Sequence, residues 1–255
     1  MGNTVTILPG DKKFSTITEA LDSLTDASES NRYTLMCSAG TFEERVRLKP
    51  GVILMGQDYG DDTIITAEAS PDGEGTVVAA PHAAINKCTV IATAKAGGQL
   101  PVAVQAKSAD WFRAASCKLY SRAEATNGVQ NTTVSINFIG GSGEKCFVSL
   151  TNCEIRNECS GISGSAQAVT AGANTTLSLR ECKLHSNPDK GDATALLSYK
   201  GGVVTAERCD IHCDDWAMQI AMGEGSLEAK NCTYSGRVGD GVKIVSSQET
   251  SDDRG

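Results

Sequence analysis

The chain has little basic charge, few aromatic residues and no long apolar run. Its 255 residues carry 23 Lys and Arg against 31 Asp and Glu, a formal charge of −8. Phosphate recognition is built from Lys and Arg clusters, and none is present, which argues against nucleic acid as a partner. The same charge weakens long-range attraction to polyanions and leaves room only for a local basic groove. No stretch approaches the roughly 20 apolar residues of a helical membrane span. Aromatics make up 5% and prolines number six, against 26 glycines. That is the composition of short strands and tight turns. No motif calls for a cofactor.

What the chain has instead is a repeat. Six segments, AAINKCTV, FRAASCKL, VSLTNCEI, LSLRECKL, VTAERCDI and LEAKNCTY, place Cys88, Cys117, Cys153, Cys182, Cys209 and Cys232 at spacings of 29, 36, 29, 27 and 23 residues. Small or apolar residues stand three and five before each, and an apolar residue or Tyr stands two after (Val90, Leu119, Ile155, Leu184, Ile211, Tyr234). A 20- to 50-residue period carrying a strand-like pattern means stacked supersecondary units, here the coils of a parallel β-helix. One coil cannot bury its own inward face, and stacking at about 4.8 Å sets like residues above one another. The cysteines form one such column, as small buried hydrophobes. Neighbouring Cβ atoms near 4.8 Å lie beyond the roughly 3.5–4.5 Å of a disulfide, so free thiols are expected there. Cys37, Cys146, Cys159 and Cys213 fall outside the column. The length allows about eight coils.

The first part of the chain reads as a lid. TVTILPG gives a strand and turn. An amphipathic helix over about 15–25 follows, with Ile17, Ala20, Leu21 and Leu24 at helical spacing and Thr16 with Glu19 as a capping box. A β-helix needs its open end covered, because an exposed first coil templates edge pairing. The expected division is therefore a capped β-helix over 1–245 and a polar tail over 246–255.

This segment, FSTITEA followed by AGTFEERV, LMGQD and TIITA, resembles the start of the pectin methylesterases (carbohydrate esterase family 8). Their motifs are F-x-T-I-x-E-A, G-x-Y-x-E-x-V, L-x-G-x-G and T-I-I-x-G. PVAVQAKSADWFRAASCKL resembles the family's A-V-A-L coil and A-F-x-N-C strand, and CEIRNECSGISGSA its C-x-I-x-G-x-V-D-F-I-F-G-N-A. The resemblance implies an all-β, right-handed parallel β-helix with an N-terminal capping helix. It also implies two catalytic aspartates on neighbouring coils, one nucleophile and one acid/base, with an orienting arginine and oxyanion-binding glutamines. Those positions are degenerate here. The first aspartate falls at Glu124, without its preceding Gln, and the second at Ser160. No L-G-R-P-W occurs, Lys200 is the only cation near its place, and Gln99 is the one matching glutamine. About 15 extra residues between Glu124 and Cys153 are expected to form a loop over the groove.

Ester hydrolysis through a carboxylate nucleophile needs two carboxyl groups with separated pKa values and a pre-organised oxyanion donor. One carboxylate facing a serine meets neither need, and no histidine lies near Ser160 in sequence. CDIHCDD (Cys209 to Asp215) suggests zinc, but strand alternation sends Cys209 and Ile211 one way and Asp210 and His212 the other. DYGDD (Asp58 to Asp62) reads as an Asp-rich turn rather than a calcium loop. No metal site is assigned. Trp111 and Trp216 are candidate sugar platforms, with Trp111 outward because Phe112 is inward. His82 and His185 have no partner visible in sequence.

The leading expectation is a non-catalytic, pectinesterase-like structural or protein-interaction module. An altered carbohydrate esterase and a glycan-binding module are the alternatives. The implied partner is a protein or an acidic or neutral glycan, and a rod with flat faces is also suited to pairing with its own copy. No secretory signal precedes Thr4, which points to an intracellular protein unless a signal was removed upstream. MGNTVT also fits an N-myristoylation pattern.

Overall fold

In the computed structural model of the protein, residues 3–7, 13–57, 62–95, 99–124, 131–136, 144–160, 164–188 and 191–250 are described. They form a parallel β-helix with three faces. The first face is a sheet of ten parallel strands stacked from Asn3–Ile7 through Tyr33–Cys37 to Lys243–Val245. Ten levels replace the eight anticipated and span roughly 43 Å at the usual strand spacing. The second face runs from Gly40–Glu43 through Thr89–Ala94, Lys118–Glu124, Glu154–Ser160 and Lys183–Pro188. The third runs from Val46–Arg47 through Val104–Ala106, Asn131–Ile136 and Gly164–Ala171 to Gly191–Tyr199. Asp210–Ala221 rounds the corner between them, pairing with Lys183–Pro188 and then with Gly191–Tyr199.

The corner from the first face to the second explains the repeat. One residue there takes a left-handed backbone: Lys87, Ser116, Asn152, Glu181, Arg208, Asn231 and Ser246 have φ between 50 and 55°. Its N–H still reaches the next coil, as in Lys87 N to Ala115 O at 3.0 Å and Glu181 N to Glu207 O at 3.0 Å. The cysteine follows. Its carbonyl accepts from the coil above, as Lys183 N to Cys153 O at 2.9 Å. Its own N–H, turned off the ladder by the bend, meets the next coil's side chain: Cys209 N donates to Cys232 Sγ at 3.4 Å. The thiol in turn donates to the carbonyl three residues before the preceding coil's cysteine. Cys117 reaches Ile85 O, Cys153 reaches Ala114 O, Cys182 reaches Leu150 O and Cys232 reaches Ala206 O, at 3.4–3.6 Å. A buried N–H without a partner costs free energy comparable to a lost hydrogen bond, so the position calls for a small side chain that both accepts and donates.

Ser247 shows the requirement in oxygen chemistry. It stands one step beyond Cys232, takes the Cys232 N–H at 3.0 Å and donates to Ala229 O at 3.1 Å. Gln248–Glu249 then pairs with Thr233–Val238. The chain thus packs on the last coil as far as Thr250, whose N–H donates to Tyr234 O at 2.8 Å, and a hydroxyl continues the thiol column. All ten cysteines are buried and free.

Inward columns fill the rest. Ile85, Ala114, Leu150, Leu179, Ala206 and Ala229 stack in register on the first face, and Val90, Leu119, Ile155, Leu184 and Ile211 on the second, all at most 1% exposed. The cap is a helix over Ile17–Ser23, shorter than the expected 15–25, with Thr16 and Glu19 closing a capping box. Ile17, Ala20, Leu21 and Leu24 are buried against the first coils. Glu44 of the AGTFEERV segment holds the lid: its carboxylate accepts from Ile17 N at 2.7 Å and Thr18 N at 2.9 Å. One side chain of the first coil thereby satisfies two orphan N–H groups of the helix. The 15-residue insertion is not all loop. Its TTVSI stretch is β-branched and forms the third-face strand Asn131–Ile136, while 125–130 and 137–143 lie outside the described residues.

Two outcomes follow from this packing. Glu44→Ala should lower unfolding free energy by about 1–3 kcal/mol, with Glu44→Gln retaining part of it. A loss below about 0.5 kcal/mol in urea titration would mean the helix is held without that carboxylate. Burial also raises thiol pKa values from 9.0, to about 12 for Cys37 and Cys213 and to about 11 for Cys146. The neutral thiol is favoured in the fold, so unfolding releases protons above pH 9. Stability is then complete below pH 9 and declines as pH rises through 11 to 12, by about 1.4 kcal/mol per pH unit for each such thiol. The urea midpoint should fall between pH 9 and 11, and fall less in Cys146→Ala; an equal fall in both would contradict burial of that thiol.

Candidate functional site

Glu124 and Ser160 stand at the ends of neighbouring second-face strands on adjacent coils, whereas Gln99 lies five residues past the strand end Ala94, with 96–98 outside the described residues. Ala94, which ends the strand before Gln99, is in register with Ala123, and Glu124 is in register with Ser160. Lys200 is not with them. It follows Gly191–Tyr199, whose first residue pairs with Gly164, so the third face separates it from Ser160 by about 30 Å of strand. There its ammonium sits 5.3 Å from the Tyr199 ring centroid.

The third face carries the polar groups that sequence reasoning missed. Val104, in the strand matching A-V-A-L, is in register with Val134 and Val134 with Val169. The residues two before these partners, Thr132 and Gln167, are also in register, and both are buried. Thr132 Oγ1 donates to Gln167 Oε1 at 3.0 Å. Beside them Ser121 Oγ lies 2.7 Å from Thr133 Oγ1, and Asn157 Nδ2 donates to Ser121 Oγ and to Gln167 O. The network is neutral and buried, which suits cohesion between coils. Its signal in sequence was the run NTTVSI, hidden by the assumption of a loop.

Elsewhere His212 bridges two coils. Its Nδ1 lies 2.7 Å from Ser235 Oγ and its Nε2 2.7 Å from Asp210 Oδ1, which also accepts from Thr233 Oγ1 at 2.6 Å. The order Ser–His–Asp is that of an activated serine. Ser235 is only 4% exposed, so the arrangement presents no open nucleophile and acts as a cross-strand stitch. Alternation does separate Asp210 and His212 from the buried Cys209 and Ile211. Among the described residues no group of three or more His, Cys, Asp or Glu side chains is gathered as metal ligands. The DYGDD turn falls outside them except for Asp62. His82 has a partner that sequence distance conceals, Glu29, at 3.3 Å.

The two tryptophans differ. Trp216 is half-buried, with the Arg237 guanidinium 4.2 Å from its ring centroid and Asp215 bridging to Arg237. Trp111 is 51% exposed on the outer side of the first face and stacks on Phe147, centroids 5.2 Å apart and planes 14° from parallel.

No protein-family model and no curated protein sequence matches the chain. Solved structures do. Pectin methylesterase PemA from Erwinia chrysanthemi superposes over 100% of this chain and 92% of its own, at 12% identity and a TM-score of 0.59. The enzyme from Aspergillus niger covers 99% and 84%, at 17% identity and 0.62. A pectin methylesterase in complex with a hexasaccharide covers 100% and 93%, at 13% and 0.55. The fold is that of the pectin methylesterases. At these identities the likeness concerns architecture, and the pectin methylesterase-like scaffold can be judged for chemistry only by its own side chains. Glu124 stands in register with Ser160, and no Asp or Glu occurs within 131–136 or 164–171.

Proposed function

We propose that the protein is a non-catalytic pectinesterase-like β-helix serving as a structural and binding module. The observation that carries this reading is the in-register pair Glu124 and Ser160 on adjacent coils, at the positions where the resemblance implies two aspartates. One carboxylic residue and one serine provide no pair of carboxyl groups whose pKa values could be separated. What remains is a rod with long flat faces, suited to recognition. A glycan is the partner favoured by a specific feature, the exposed Trp111, and one structural neighbour is seen with a hexasaccharide.

Methanol release from highly methylated pectin should stay at background. Ser160→Asp and Gln167→Asp should each fail to raise it, because catalytic residues that act as a unit are not restored singly. Clear turnover by the unmodified protein would overturn the reading. Its loss in Glu124→Gln would place an esterase on the second-face edge, and its loss in Ser235→Ala would place a serine hydrolase on the His212 stitch.

A further inference from the structure

The outward side of the second face carries its charges in a regular order. Lys118, Glu154, Lys183 and Asp210 stand in register on successive coils and alternate in sign. A column beside them holds Tyr120, Arg156, His185 and His212. Opposite charges in register on neighbouring strands commonly pair with each other. The two acids turn elsewhere, Glu154 to Arg156 of its own strand at 3.2 Å and Asp210 to His212 at 2.7 Å and to Thr233. Lys183 is exposed between them and has no ion pair or side-chain hydrogen bond among the described residues.

This pattern is complementary to itself. Face-to-face pairing about a two-fold axis parallel to the strands keeps each column on its own column and reverses the order of the coils. With the axis between the coils of Glu154 and Lys183, Glu154 meets Lys183 of the second copy and Lys118 meets Asp210 of the second copy. Symmetry repeats both pairs, and no like charges meet in that column. Tyr120 falls opposite His212 of the second copy. The coils beyond are neutral on both sides, with Thr89 and Ile91 set against Thr233 and Ser235 of the second copy.

The alternatives fail on charge. An axis through the Glu154 coil sets Glu154 on its own copy and Lys118 on Lys183. A two-fold along the rod sets Lys118 on Arg122 and Glu154 on Glu158. Like charges juxtaposed across an interface exclude a pairing, so the face selects one register and one direction.

We infer that the second face is the contact surface of a two-fold homodimer with antiparallel rods, centred between the coils of Glu154 and Lys183. Six facing coils, from Thr89–Ala94 to Thr233–Val238, at about 4.8 Å each and about 20 Å of strand, cover roughly 580 Å² per copy. About 1,200 Å² in all is enough for a specific, modest interface. The ion pairs fix register and direction more than affinity, as exposed pairs contribute little each. The inference goes beyond the function proposed above and does not rest on the absence of catalysis.

Sedimentation equilibrium of the full chain tests it. The mass should rise from one chain to two with a midpoint at about 10–100 μM, and raising salt should move the midpoint upward. Lys183→Glu and Glu154→Lys should each weaken association at least about 10-fold, because each sets like charges against one another. An equimolar mixture of these two variants should dimerise again, since Glu154 of one chain then meets Lys183 of the other and the two introduced charges meet as opposites. Amine labelling of the unmodified chain gives a readout that needs no variant: Lys183 should become shielded as concentration rises, while exposed Lys200 on the far side should not. A single-chain mass at about 1 mM would overturn the inference. So would a dimer that both variants retain, a mixture that stays monomeric, or equal labelling of Lys183 and Lys200 across the transition. Methanol release from pectin by a dimer that meets these expectations would defeat the non-catalytic reading and leave this one standing.

Discussion

Every coil must turn from the first face to the second without leaving a buried N–H unpaired. The left-handed residue makes the turn within a single position, and the side chain after it takes up the N–H that the bend displaces. A thiol does this while filling little space, and the hydroxyl of Ser247 does it at the last turn. Because donor and acceptor belong to adjacent coils, the corner also fixes their register. A coil slipped by one residue would set Lys or Asn where the sulfur belongs and turn each inward Ile, Leu or Val outward. The columns on the first two faces are consequences of that constraint.

A scaffold fixed in this way places its variable chemistry on outward positions and in the connections between the second and third faces. The interior thiols are buried, and Cys182 is pushed up to about 12 by the adjoining Cys153 thiol and by burial. The interior groups of Ser121, Thr132, Thr133, Asn157 and Gln167 are spent on one another. Outward positions on the second face are tied in ion pairs such as Arg122–Glu158 and Arg156–Glu154. The first face contrasts with them in the exposed ring of Trp111.

The sequence announced the columns clearly because each is written once per coil. The inward Ile, Leu and Val two after the first five column cysteines, and the Thr16–Glu19 box, could be read from spacing alone. Other features depended on contacts between coils and had no local signature. Glu44 lies 27 residues from the helix start it caps, Ser235 lies 23 from His212, and Glu29 is far from His82. The third face was the hardest to place. Its strand Asn131–Ile136 sits inside an insertion, and polar residues such as Thr132 and Thr133 are buried there by one another rather than by an apolar pattern. Trp111 was readable as outward, whereas the clefts it borders needed Glu29, Arg32 and Thr176 from distant parts of the chain.

The account stands on ten unpaired, buried thiols. Alkylation followed by intact-mass measurement counts them, once on the folded protein and once in denaturant, both without reductant. The thiol-lined corner predicts almost no modification of the folded chain and ten additions after denaturation. Three or more disulfides in the denatured, unreduced protein would contradict it, because bridged sulfurs cannot serve as the donors and acceptors that join one coil to the next.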